Sequence, residues 1–248
     1  MKNSILTIGL VFFIGMQTIK ASVQTDIEKA NKAGNCVFLV VTETGNTDNA
    51  AAINLSKEAQ KLSPKTTVIE LNRTDKANAS LVTKYRLEGA ALPIVLIIAA
   101  NGTEAGGIAY LKQTTTENLI ALIPSPKKAE VLKIINDGKP VFLVVSKKSM
   151  TKKEVLSNCQ TACTEMKEGA KTVEVDFDDA AEKKFLTSLN ITQIGNEPQT
   201  FVINTKGQIA GSFKGVTDSK TLVATATKKP AGGCCAPGSG KSCGPTKK

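Results

Sequence analysis

Residues 35–41 read NCVFLVV, and residues 139–145 read KPVFLVV. The string VFLVV therefore occurs twice, 104 positions apart. Each run is apolar throughout and rich in β-branched residues, the pattern of a strand buried on both faces. Two further blocks keep nearly the same spacing. TTVIELNRTD (66–75) answers to KTVEVDFDD (171–179), and LPIVLIIAANG (92–102) answers to EPQTFVINTKG (197–207), both at an offset of 105. Three ordered blocks at one spacing describe a duplication, and the unit is too long for a solenoid repeat. Each copy is expected to be a domain with its own core.

Outward from these blocks, each copy reads αβαβαββα. A helix over 26–33 or 129–136 leads into the first strand. The next helix presents Ala52, Leu55, Ala59 and Leu62 on one face in the first copy. Its counterpart presents Val155, Leu156, Cys159, Ala162, Cys163 and Met166. A Val-rich strand, a helix, a strand opened by Pro93 or Pro198, a turn at Asn-Gly or Lys-Gly, a last strand and a last helix complete each unit. The boundaries predicted are an export segment over 1–21, domains over 22–124 and 125–227, and a tail over 228–248.

Composition narrows the chemistry. The 248 residues contain no His, which excludes Ser-His-Asp and Cys-His catalysis and any His-ligated metal. Trp is absent and aromatics make up only 4%, so the cores must be aliphatic. The apolar run from Ile5 to Met16 spans about 12 residues, short of the ~20 that cross a bilayer. With Lys2 before it and Ala21 after it, the segment reads as a cleaved signal peptide, with Ile19 an imperfect minus-three residue; an uncleaved anchor is the alternative. The expected location is periplasmic or secreted, with no stable membrane insertion after cleavage. Losing Lys2 and Lys20 lowers the formal charge from +10 to +8. The remaining Lys residues are scattered without aromatic interleaving, which describes a solvated surface and not a nucleic-acid site.

Order and prolines together are similar to the thioredoxin-like superfamily. The resemblance is carried by KYRLEGAALPIVLIIAANGTEAGGI (84–108) and LNITQIGNEPQTFVINTKGQIAGSF (189–213), with KANKAGNCVFLVV (29–41) and KIINDGKPVFLVV (133–145) as domain openings. It implies two tandem three-layer α/β/α domains, each around a central mixed sheet. It also implies that Pro93 and Pro198 are cis and, with Leu92 and Glu197, line grooves for an extended protein or peptide partner. The second copy is the closer match, because Ala90, Ala91 and Leu92 precede the proline of the first.

Active members of that family place Cys-x-x-Cys where the first long strand meets the next helix, since the helix N-terminus stabilises a thiolate. Here those slots read TETGNTDN (42–49) and SKKSMTKK (146–153), without a cysteine. The expected protein is therefore a binding or scaffold module and not an ordinary oxidoreductase. Cys159 and Cys163 stand four apart on one helical face, with Cα atoms about 6 Å apart. They read either as core fillers or as a displaced redox pair, which would make the chain an atypical thiol–disulfide oxidoreductase. The tail, GGCCAPGSGKSCGP (232–245), holds Cys234, Cys235 and Cys243 among Gly, Pro and Lys. Three thiolates suit Cu(I), Zn(II) or a metalloid, or a covalent attachment. A metal- or metalloid-handling protein is thus a further alternative. Its CGP lacks a second cysteine, because Thr246 stands there.

Overall fold

The computed structural model describes residues 22–110, 112–167 and 169–228. The predicted export segment and the tail cysteines lie outside the described residues. Helix α1 (Val23–Lys32) starts where the Ser22 hydroxyl accepts the Thr25 N–H, and it buries Ile27 and Ala30. Gly34 turns the chain at φ 77° into β1 (Cys36–Thr42), in which every residue is buried. Helix α2 (Asn49–Leu62) crosses over to β2 (Thr66–Asn72), which pairs parallel to β1 with Cys36 opposite Thr66. A short turn at Lys76–Asn78 and α3 (Ala79–Lys84) lead to β3 (Ile94–Ile98), antiparallel to β1. Gly102, at φ 81°, closes the hairpin to β4 (Glu104–Ala109), and α4 (Thr116–Ala121) opens with a capping box between Thr115 and Asn118. The sheet order is β2-β1-β3-β4.

The second copy repeats the path. Its elements are α5 (Pro126–Asn136), β5 (Val141–Ser146), α6 (Lys153–Glu165), β6 (Lys171–Asp176), α7 (Lys183–Ser188), β7 (Gln199–Ile203), β8 (Ile209–Lys214) and α8 (Ser219–Thr227). Its sheet runs β6-β5-β7-β8, with Val141 opposite Ile203 as Val37 is opposite Ile98. The predicted order of elements is observed in both halves, each an α/β unit of three layers.

Why the two apolar runs are unbroken is now plain. Side chains alternate across a strand. Val37, Leu39 and Val41 therefore meet Ile27, Leu81 and Val82 on one side, while Phe38 and Val40 meet Ala52, Ala59 and Leu119 on the other. In the second copy Val141, Leu143 and Val145 face Val131 and Leu186, and Phe142 and Val144 face Val155, Cys159 and Leu222. Helices cover both faces, so no position on the central strand is left for a polar residue until its end.

Three expectations need correction. Helices α1 and α5 begin three residues earlier than predicted, because Ser22 and Ser125 act as N-caps and Pro126 suits the first turn. Leu62 does not join the buried face of α2; as the last residue of that helix it is 64% exposed. Ser56 lies inside instead, its hydroxyl returned to the Ala52 carbonyl at 2.9 Å. The buried stripe Ala52–Ser56–Ala59 is thus made of small residues. The third correction, at Pro198, belongs to the site below.

Two contacts fix the start of the second half. Glu182, only 2% exposed, accepts from the Ser125 hydroxyl and from the Lys127 N–H (2.9 Å), placing a carboxylate at the positive end of α5. Across the halves, Asn101 Nδ2 donates to the Ala129 carbonyl at 2.8 Å.

Candidate functional site

The C-terminal ends of β1 and β5, the loops that follow them, and the proline loops form the two candidate grooves. In the first, the loop over 43–48 is tied to the proline loop by side chains. Asn46 Nδ2 donates to the Leu92 carbonyl at 3.0 Å, while its Oδ1 accepts the Asp48 N–H at 2.9 Å. Asn49 Nδ2 donates to the Glu43 carbonyl at 2.7 Å. Arg73, immediately after β2, has its side chain 18% exposed. Its Nη1 donates to the carbonyls of Leu87 (3.0 Å) and Ala90 (2.9 Å), and its Nη2 meets Glu43 Oε1 at 2.8 Å. The carbonyls ahead of Pro93 are therefore already claimed from inside the domain. The Leu92–Pro93 bond is cis, and Pro93 is buried.

The second groove differs. The Glu197–Pro198 bond is trans, contrary to the expectation for the closer family match; Leu92–Pro93 is the one cis bond among the described residues. An X–Pro bond favours trans by about 0.5–1 kcal/mol unless its surroundings select otherwise. The surroundings that hold the first loop have no counterpart here. Phe177 follows β6 where Arg73 follows β2, its N–H bonded to Ser146 as that of Arg73 is to Thr42. A phenyl ring supplies no donors for loop carbonyls. Met150 Sδ accepts the Lys147 N–H at 3.4 Å within its own loop and reaches no proline-loop carbonyl. What remains is an open cavity of about 540 Å³ lined by Lys147, Ser149, Met150, Thr151, Glu197 and Pro198. Glu197 is exposed and Pro198 buried. Lys147 Nζ lies 5.8 Å from the Phe177 ring centre, and Lys152 Nζ is 2.6 Å from Glu174 Oε2.

The cysteines of the described residues stand apart from both grooves' polar contacts. Cys159 lies well inside α6, fully buried among Phe142, Val144, Val202 and Leu222. Burial pushes its thiol up to about 11. Cys163 is half-buried, 3.5 Å from Thr172 Oγ1, and burial raises its thiol as well. Cys36 is buried at the start of β1 and is raised for the same reason. These three thiols are free. Neither a helix start nor a cation lowers Cys159, which packs as core; Cys163 packs at the edge of the same cluster, where burial outweighs the nearby Lys171. With a thiol at about 11, only about one molecule in a thousand carries the thiolate at pH 8. Cys159 is accordingly expected to resist iodoacetamide in native protein at pH 8 and to react once the chain is unfolded in urea, as read by peptide mass spectrometry.

Leu92, Pro93, Glu197 and Pro198 lie on the loops that open β3 and β7, and Asn46, Asn49 and Arg73, which hold the first of these loops or the loop facing it, were not singled out from the sequence. A signal was present: Asn46 and Asn49 keep the spacing of a Cys-x-x-Cys pair across the start of α2. Cys234, Cys235 and Cys243 lie outside the described residues.

No protein-family model matches the chain, and no curated protein matches it. Solved structures to which it is similar include the first two thioredoxin domains of Eps1p from Saccharomyces cerevisiae. That match has 13% identity, covers 83% of this chain and 96% of that one, and has a TM-score of 0.30. Another is the N-terminal domain of the alkylhydroperoxide reductase AhpF from Enterococcus faecalis, at 11% identity, 82% and 98% coverage, and a TM-score of 0.29. The zinc-bound form of human ERp44 matches at 8% identity, with 79% and 56% coverage and a TM-score of 0.34. The chain's own strand order, helical crossover and proline-led third strand make it a tandem of two thioredoxin-like domains.

Proposed function

We propose that this is an exported tandem thioredoxin-like binding module that holds an extended protein segment, with a thiol-rich tail for soft-metal binding or covalent attachment. One observation carries the reading. At the position where this fold activates a thiol, the first domain has the Asn46 amide bonded to its own proline loop and the second has Met150 and Lys147 beside an open groove. Attack on a disulfide requires a thiolate, and neither groove has one to offer. The second groove is the one assigned to the partner. Among the described residues, no side chain from the preceding loop takes its proline-loop carbonyls, and an extended segment pairs with free backbone groups of that kind.

The reading is tested by titrating an unfolded, cysteine-free polypeptide into isotope-labelled protein. Amide resonances of Met150, Thr151, Gly195 and Asn196 are expected to shift saturably, while those of residues 43–48 stay in place. Shifts confined to the first groove, or none at all, contradict it. The tail assignment is tested separately. Deleting residues 230–248 is expected to abolish stoichiometric Cu(I) or Zn(II) binding, and retained binding would move the site elsewhere.

A further inference from the structure

The turn between β3 and β4 carries the chain's one Asn-Gly pair, Asn101-Gly102. Gly102 stands at φ 81°, a conformation that other residues rarely adopt. The matching turn of the second copy also uses a glycine, Gly207 at φ 77°, but Lys206 precedes it there. The turn therefore demands the glycine and not the asparagine. What Asn101 adds is a contact between the halves. Its Nδ2 donates to the Ala129 carbonyl, in the first turn of α5, at 2.8 Å. Its Oδ1 accepts the Thr103 N–H at 3.1 Å, within the turn itself.

Asparagine before glycine is the least hindered case of an internal reaction. The backbone nitrogen of the glycine attacks the asparagine Cγ and closes a five-membered imide. The Cγ–Nδ2 bond breaks, and Nδ2 departs as ammonia with the proton that the backbone nitrogen gives up. Water then opens the imide at either carbonyl, leaving aspartate or isoaspartate. Only water is consumed, and nothing is oxidised or reduced. Asn101 is exposed, so water reaches it. Three bonds restrain the first step: Gly102 N–H to the Ala99 carbonyl (2.8 Å), Thr103 N–H to Oδ1, and Nδ2 to Ala129. Two of them belong to the turn, while the third lasts only as long as the halves stay together. The product cannot remake that third bond. A carboxylate has no proton to donate, and it would set a charged acceptor against the Ala129 carbonyl oxygen. Isoaspartate also lengthens the backbone of the turn by one methylene.

We propose that Asn101 is a site of spontaneous deamidation, guarded while the two halves are in contact, and that its conversion unties them for good. The chain thereby passes once, and in one direction, from a coupled tandem to an uncoupled one. The site is separate from both proline grooves and does not depend on them.

Two measurements on the full chain test this. A flexible Gly-Ser-Gly-Ser insertion between Ile123 and Pro124 lets the halves part without touching the turn. In mildly alkaline buffer, with peptide mass spectrometry following Asn101, the lengthened chain is expected to convert about fivefold faster than the unaltered one, the factor that one lost hydrogen bond supplies. Backbone amide relaxation then reads the untying. Both halves of the unaltered chain are expected to share one tumbling time. In Asn101→Asp, which carries the product's charge, each half is expected to tumble separately and faster. Asn101→Ala, which lacks the donor without adding the charge, is expected to do the same and keeps the test intact if Asn101→Asp does not fold. Equal conversion in the two chains, separate tumbling already in the unaltered chain, or shared tumbling in the folded variants overturns the proposal.

Discussion

The double substitution Asn46→Cys and Asn49→Cys is expected to turn the first domain into a disulfide reductase. In an insulin-reduction assay with dithiothreitol as the reductant, the double variant turns over, and each single variant does not. The expectation follows from placement. Asn46 already bonds to the carbonyl that precedes Pro93, and Asn49 is the first residue of α2. A thiol at position 46 therefore lies by a helix N-terminus, and is expected to titrate below the free value of about 8.5. A second thiol at position 49 supplies the resolving partner that exchange requires. The double variant loses the hydrogen bonds of Asn46 to Leu92 and Asp48 and of Asn49 to Glu43, at about 1 kcal/mol each, which a domain stable by roughly 5–15 kcal/mol tolerates. If the double variant is folded, as judged by circular dichroism, and inactive, the first groove is not a vacant redox position.

Phe142→Ala is expected to destabilise the second domain selectively. Phe142 is fully buried, packed with Val155, Val202 and Leu222, all from the same half. Truncating a buried phenyl ring costs about 3–5 kcal/mol. A domain of this size is stable by roughly 5–15 kcal/mol, and each kcal/mol lost lowers its midpoint by about 4–8 °C. The composition makes the selectivity easy to read. Both tyrosines, Tyr85 and Tyr110, lie in the first half, so tyrosine emission follows that half alone. Far-ultraviolet circular dichroism follows both. The variant is expected to show a dichroism transition lowered by at least about 12 °C, with an unchanged tyrosine transition. Coincident transitions lowered together would show that the two cores are one cooperative unit.

How much of this was legible in the sequence depends on what each feature rests upon. The central strands were legible because burial on both faces forces an unbroken apolar run, and the duplication gave each strand a control. The helix starts were less so, since a Ser one residue before an acceptable turn looks like loop until its hydroxyl is seen to cap. Leu62 misled because helical periodicity says which side a residue faces but not whether that side is still covered at the helix's last residue. The isomer at Pro198 was misread for a related reason. Similarity in the strand after Pro198 says little about the donors that hold the loop before it, and those donors come from Asn46 and from Arg73, distant in sequence. The bond from Asn101 to Ala129 was illegible altogether, because its two ends are brought together only by the packing of the halves. Cys159 and Cys163 were placed within the apolar stripe of α6, where the structure finds them.

The most direct measurement is insulin-disulfide reduction by the unaltered chain, run beside the same chain lacking residues 230–248. An account in which both grooves lack an attacking sulfur predicts no rate above the dithiothreitol background for the shortened chain. Turnover by the shortened chain that disappears on Cys159→Ala or Cys163→Ala would contradict it, and would make the buried pair of α6 a working redox centre.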